Sequence, residues 1–253
     1  GTLSGVMTIA VLPFNAGPDA PPALARQLAN FPCDIVRNHT GAEVNAVNYL
    51  VRLDDGPAPR FANVNASETL NEFEMLGQFF EQAGADAVFD GLLSKEGDGL
   101  KLEVRFTKKG EAEPGPVASF SFTEDTALPA VRQLVQSLAT QAGVEIPGEM
   151  DEDIELFGTD NSAAFVRFLQ SYDALKYIND TQGQVAIEFS PEQAMDSLLE
   201  AVELDKDWEA PAITLVQLCR ACTQFQVGTA ELVEGSLRKL IEKVPDDGRA
   251  VFA

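Results

Sequence analysis

The run Met7-Thr8-Ile9-Ala10-Val11-Leu12-Pro13-Phe14 constrains this chain more than any other stretch. It is apolar at successive positions and β-branched at Ile9 and Val11. A short segment of that kind reads as a strand with both faces buried. Such a strand needs cover above and below, so it belongs inside a sheet flanked by helices. Pro13 is expected to end it, because proline has no ladder N–H to give. Asn15-Ala16-Gly17-Pro18-Asp19 then reads as a turn. Pro13 and Phe14 are expected to be largely buried.

The residues up to about 147 read as cover for that strand. Pro21 to Asn30 form a short helix, with Pro21 and Pro22 in a first turn where a missing N–H costs nothing. Phe31-Pro32 ends it. Part of Glu43 to Leu53 reads as a second strand, and Asp54-Asp55-Gly56-Pro57-Ala58-Pro59 as a loop. Ser67 is placed to cap a helix carrying Leu70, Phe73, Leu76, Gly77 and Phe80, which closes near Gly84. Asp86 to Leu93 form the next strand. The turn Gly97-Asp98-Gly99 folds the chain back through Leu100, Leu102, Val104 and Phe106, giving a hairpin. Val117, Ser119, Phe120 and Phe122 add a strand. Leu128 to Ala142 form an amphipathic helix, with Leu128, Val131, Leu134, Val135 and Leu138 on one face, closed by Gly143. The order β-α-β-α-β-β-β-α is that of an α/β domain, a mixed sheet with flanking helices.

Residues 148 to 161 read as an acidic linker. Glu149, Asp151, Glu152, Asp153 and Glu155 lie there, between Pro147-Gly148 and Gly158-Thr159-Asp160-Asn161. Ser162 to Ile178 read as a helix whose apolar face holds Phe165, Phe168, Leu169, Tyr172, Leu175 and Ile178. A polar loop from Asn179 to Phe189 follows. Ser190 then caps a helix, with Pro191 at its first position and Gln193 completing a capping box. That helix carries Ala194, Leu198, Ala201 and Leu204. The spacing returns 39 residues on at Val233, Leu237 and Leu240, with Lys206 in the place of Pro245.

Two resemblances follow from these stretches. Ile9 to Phe14, then Gly84-Ala85-Asp86-Ala87-Val88-Phe89-Asp90-Gly91 and the hairpin at Gly97-Asp98-Gly99, resemble the TolB amino-terminal-like domain over residues 7 to 145. Pro114-Gly115-Pro116 departs from that family, which places a Gly-containing turn and an aromatic there. The two helices related by 39 residues resemble the second helices of tetratricopeptide (TPR) repeats, units of about 34 residues closed by a proline. Lys206 replaces that proline in the first copy, and Val233 and Leu240 replace alanines. The resemblance implies a TolB-like α/β domain over 1–147, a linker over 148–161 and an all-α TPR-like domain over 162–253. Helix pairs of this kind bury a face only by stacking on a neighbour. Two copies therefore imply a truncated array, or a pair leaning on the first domain.

Charge narrows the partners. Forty acids against 18 bases give a net charge of −22. This argues against nucleic acid, whose phosphates need clustered Lys and Arg, and against an anionic membrane surface. It favours solubility or a partner with a basic face. No apolar run reaches the length of a membrane span. The opening Gly1 to Gly5 leaves open a signal or anchor upstream. Three cysteines are too few for a disulfide scaffold and suit a reducing compartment.

Chemistry-bearing residues are few. In a redox site, Cys219-Arg220-Ala221-Cys222 would follow a strand and open a helix. Here it falls inside a helical stretch and reads as a pair of core cysteines. A zinc site joining these to Cys33 and His39 would need a spacing that zinc sites do not use. His39, the only histidine, reads as a loop residue in Asn38-His39-Thr40-Gly41. Asp151, Glu152 and Asp153 lack the order of a calcium loop. Trp208 either packs the junction between repeats or lines a peptide groove. No phosphate loop, dinucleotide fingerprint or nucleophile elbow is present. No catalytic, cofactor or metal residue is nominated. The expectation is a non-enzymatic, cytoplasmic interaction or scaffold module of a larger bacterial signalling or envelope protein, which binds a protein or peptide through its repeats. The alternatives are a periplasmic envelope-associated binding protein and, behind it, an enzyme with an unrecognised carboxylate site.

Overall fold

The computed structural model describes residues 7–48, 50–57, 60–63, 67–184 and 189–244. Gly1 to Gly5, the middle of the loop before Ser190, part of the loop before Arg60, and Pro245 with the residues after it lie outside that set. The protein is mixed α/β and divides into two compact units, 1–51 with 62–152, and 52–61 with 153–253. Residues 52–61 group with the second unit although they lie far from it in sequence.

The first unit is built on a six-stranded mixed sheet. Its strands are β1 (Ile9–Val11), β2 (Asn15–Ala16), β3 (Val44–Ala46), β6 (Ala87–Glu96), β7 (Gly99–Lys108) and β8 (Val117–Phe122). β4 (Leu50–Leu53) and β5 (Arg60–Asn63) pair separately as a small sheet. The main order is β3-β1-β6-β7-β8, with β2 also on β6. β1 runs parallel to β3 and to β6, while β6, β7 and β8 form an antiparallel meander. The opening run is thus central, as its apolar faces require. Ala10, Leu12 and Val88 pack against Leu76, Phe79 and Phe80 of α2 (Phe73–Gln82). Alternation along the strand turns Ile9 and Val11 to the opposite face, where α1 (Pro22–Thr40) and α3 (Ala127–Ala142) lie on the sheet and on each other.

Pro13 does something other than end the strand. β1 pairs Val11 with Phe89, and β2 pairs Asn15 with Leu92. Leu12, Pro13 and Phe14 therefore face only Asp90 and Gly91. The extra residue is a bulge, and it sits at the one position with no N–H to lose. Pairing resumes past it, so Asn15 and Ala16 form a strand and not the start of a turn. Pro13 is buried and Phe14 is 3% exposed, as expected. The bulge lays the Phe14 ring over Gly91, where a Cβ would stand 3.0 Å from Phe14 Cδ1 and 2.7 Å from the Glu103 carbonyl oxygen.

Two helix boundaries differ from expectation. α1 does not stop at Phe31-Pro32; it continues to Thr40 with Pro32 inside it. The interior proline costs about 3 kcal/mol. Burial of Cys33, Ile35 and Val36 beyond it continues the face begun by Leu24 and Leu28, and such side chains contribute about 1.5–3 kcal/mol apiece. Asn38 to Thr40 thus form the last turn, and Gly41, at φ 69°, is the C-cap. The second difference is α2, which starts at Phe73 with no side-chain cap. Ser67 instead accepts from the Thr69 N–H in a local turn. Residues 67–72 are held out of the helix because Asn71 is fixed elsewhere, as described below.

The Pro114-Gly115-Pro116 turn has its own cause. A Cβ on Gly115 would collide with the Phe106 carbonyl, and the Gly115 N–H donates to Thr107 Oγ1 at 3.1 Å. Glycine lets the turn close down on β7.

In the second unit α4 (Asp153–Phe157), α5 (Ser162–Thr181), α6 (Pro191–Leu204), α7 (Ala210–Phe225) and α8 (Ala230–Lys243) follow one another. The stretch expected as a linker supplies α4, and its Leu156 and Phe157 are buried. Asn161, Ser190 and Thr229 cap α5, α6 and α8, and the capping box of Ser190 with Gln193 forms as expected. α6 packs on α5, α7 packs on α5 and α6, and α8 packs on α6 and α7.

Candidate functional site

Two places concentrate chemistry, one in each unit. The first lies at the bulge. Asp90 on β6 is fully buried, and Arg105 opposite it on β7 is nearly so. The guanidinium grips the carboxylate twice, Nε to Oδ1 at 2.9 Å and Nη2 to Oδ2 at 3.0 Å. Asn71 Nδ2 donates to the same Oδ2 at 3.2 Å, and Arg105 also donates to the Asn71 carbonyl. Asn15, delivered by the bulge, donates to Asn71 Oδ1 at 3.0 Å and to the Thr69 carbonyl at 2.8 Å. Burial pushes the Asp90 carboxyl up from its ordinary range, and the hydrogen bonds and charge of Arg105 draw it back.

This cluster ties the 67–72 segment to the sheet. Each carboxylate oxygen already accepts from Arg105, and the guanidinium is spent on Asp90 and Asn71. That is the arrangement of a satisfied buried network, which specifies structure, rather than of a group poised to react. Residue order alone showed none of it, since its members are spread from Asn15 to Arg105.

The second place is an apolar groove of about 490 Å³ between α7 and α8. Val216, Cys219, Arg220, Thr223 and Gln224 form one wall, and Val233, Leu237, Leu240 and Ile241 the other. The positions picked out by the 39-residue spacing are structurally equivalent. Ala194, Leu198 and Ala201 fall at the same steps of α6 as Val233, Leu237 and Leu240 in α8. Their burial differs. All three in α6 are completely buried. Of the three in α8, Leu240 alone is buried, while Val233 and Leu237 are half-exposed along the groove.

The remaining singled-out residues take structural places. Cys219 and Cys222 lie within α7, one helical turn apart, and both are buried. Burial pushes their thiols up to about 11 and that of Cys33 to about 12. His39 is half-buried in the last turn of α1. Trp208 is 7% exposed and packs on Phe168 at 4.9 Å and Phe165 at 6.4 Å between ring centroids. It therefore fills the α5–α7 junction and does not line the groove. Among the described residues no three His, Cys, Asp or Glu side chains gather where a metal ion could be held, and no helix is long and apolar enough to cross a membrane.

The cysteines give a testable pH dependence. A thiol whose folded pKa lies above its unfolded value adds stability that is full below the unfolded value, near 9. That stability is lost as pH rises toward the folded value, because the unfolded chain releases protons that the folded one keeps. The urea midpoint should therefore fall between pH 8 and pH 10.5. A thiol-specific disulfide reagent at pH 8 should label the native chain slowly and the denatured chain at all three cysteines. Rapid labelling of the native chain at Cys219 or Cys222 would contradict the burial described.

No protein-family model matches this chain, and no curated protein matches it significantly.

Proposed function

We propose that the chain is a non-enzymatic interaction module, in which a TolB-like α/β domain carries a short TPR-like helical repeat that binds a protein or peptide partner. The observation that carries this reading is the repeated packing of the second unit. Each of α7 and α8 lies on the two helices before it, and α6 and α8 present the same positions 39 residues apart. Stacking of this kind yields an extended surface open to partners. The buried, satisfied state of Asp90 and Arg105 and the burial of the three thiols support a binding role over a catalytic one. Three reduced, buried cysteines suit a reducing, cytoplasmic setting.

The test is site-specific photo-crosslinking in cells. A photoreactive residue is placed in turn at exposed positions of the helical unit, such as Tyr172, Ile213 and Ile241, and at exposed Val117 of the sheet as a control. Reproducible adducts to one protein from the helical positions, and none from Val117, are expected. No adduct from any helical position, with the chain folded by circular dichroism, would sink the reading.

A further inference from the structure

We propose that the groove between α7 and α8 receives one amphipathic helix of a partner protein, whose apolar face carries a carboxylate that pairs with Arg220. This rests on the interaction reading above and names the place and chemistry of the partner.

The packing rule points to a helix as occupant. α7 lies against both α5 and α6, and α8 against both α6 and α7. α5 and α6 together seat α7, and α6 and α7 together seat α8, so the side shared by α7 and α8 has the form of a helix seat. That place is the groove. Its α8 wall is made of Val233, Leu237 and Leu240, whose counterparts in α6 are fully covered. Ile241 stands beside them at 54% exposure. Val233, Leu237 and Ile241 stand at i, i+4 and i+8 along α8, an apolar row of the kind that receives the apolar face of an amphipathic helix.

Charge identifies the chemistry. The chain carries 40 acids, yet none lines the groove. Its one charged lining residue is Arg220, which is exposed and has no ion-pair partner among the described residues. A guanidinium at the edge of an apolar groove favours a carboxylate from the occupant, where partial desolvation strengthens the pair. A second copy of this chain is the wrong occupant, since it would bring a net charge of −22 against −22.

The probes are two labelled synthetic helical peptides, with Leu and Ala at helical spacing on one face. One carries Glu on that face and the other Lys at the same position. Binding to the full chain is read by fluorescence anisotropy. The Glu peptide should bind saturably and at least tenfold more tightly than the Lys peptide. Arg220→Glu should reverse that order. Ile241→Lys, at an exposed position that does not threaten folding, should weaken both peptides at least tenfold. The proposal is overturned if neither peptide binds the folded chain, or if the two variants leave binding unchanged. It is also overturned if the chain sediments as a dimer that Ile241→Lys dissociates, or if binding appears only after residues 245–253 are removed. Crosslinked partners that map to Tyr172 or Ile213, with a groove blind to both peptides, would overturn this proposal and leave the interaction reading standing.

Discussion

Arg105→Met should destabilise the sheet unit by about 3–5 kcal/mol, the usual result of removing one partner from a buried ion pair. The cause is what stays behind. Asp90 is fully buried, and without the guanidinium its carboxylate keeps the Asn71 donor at 3.2 Å and its own backbone N–H, but no cation among the described residues. Asn71 in turn loses the donor to its carbonyl, so the 67–72 segment loosens as well. Urea unfolding should show a lower midpoint at unchanged slope. The variant should also acquire a distinctive pH dependence. With Arg105 gone, burial acts on Asp90 against the Asn71 and backbone hydrogen bonds alone, and its folded pKa rises further. A raised folded pKa means stability that is present at low pH and lost as pH rises through it. The deficit should therefore shrink as pH is lowered from 8 toward 5. The double variant Asp90→Leu/Arg105→Met should be less damaged than Arg105→Met, because it buries no lone charge. A deficit that is equal at both pH values, and no recovery in the double variant, would mean that the pair is solvated and the network is not as described.

The parts of this fold legible in the sequence are those that local chemistry decides. The β6–β7 hairpin at Gly97-Asp98-Gly99, the closure of α3 at Gly143, and the Ser190 capping box depend on residues a few positions apart, and each forms as read. The central place of Ile9–Val11 was legible because a strand apolar on both faces has few other homes. What the sequence hid was decided at long range. Pro32 looked like a helix stop, yet the apolar face of Cys33, Ile35 and Val36 carries α1 through it. Ser67 looked like a cap, but Asn71 is bound to Asp90 and Asn15, which delays α2 to Phe73. Pro13 looked like a strand end because its missing N–H was visible and the bulge that accommodates it was not. In the candidate groove, the row Val233, Leu237 and Leu240 was legible from its 39-residue repeat. Its incomplete cover was not, because exposure depends on which helix follows in space. Arg220 is the interior of a C-x-x-C in sequence, and nothing local to that motif tells that its side chain edges a groove.

Trp208→Ala should cost the helical unit about 3–5 kcal/mol, in the range for deleting a large buried aromatic. The side chain lies between α5 and the start of α7. Its ring packs edge-on to Phe168 and nearly parallel to Phe165 on α5, two residues before α7 begins. Gly158, just after α4, approaches so closely that a Cβ there would stand 2.7 Å from the indole Nε1. Around it, Thr159 Oγ1 donates to Asp205 at 2.6 Å, and Asn161 Nδ2 to the Leu204 carbonyl at 3.3 Å. Removing the indole therefore opens a cavity where α4, α5 and the entry to α7 meet. Trp208→Phe should recover much of the loss, since a ring still fills most of the space. The experiment also decides between the two roles that the sequence leaves to this residue. A tryptophan lining a peptide groove would, when truncated, weaken binding and leave the melting curve in place. A tryptophan packing the junction does the reverse in origin: the urea midpoint, followed by circular dichroism because the only tryptophan is gone, falls first. Binding of the Glu peptide at low temperature, with the unit still folded, should then change less than it does in Ile241→Lys. A Trp208→Ala chain with an unmoved midpoint and lost binding would place the partner on Trp208, and would contradict the packing described.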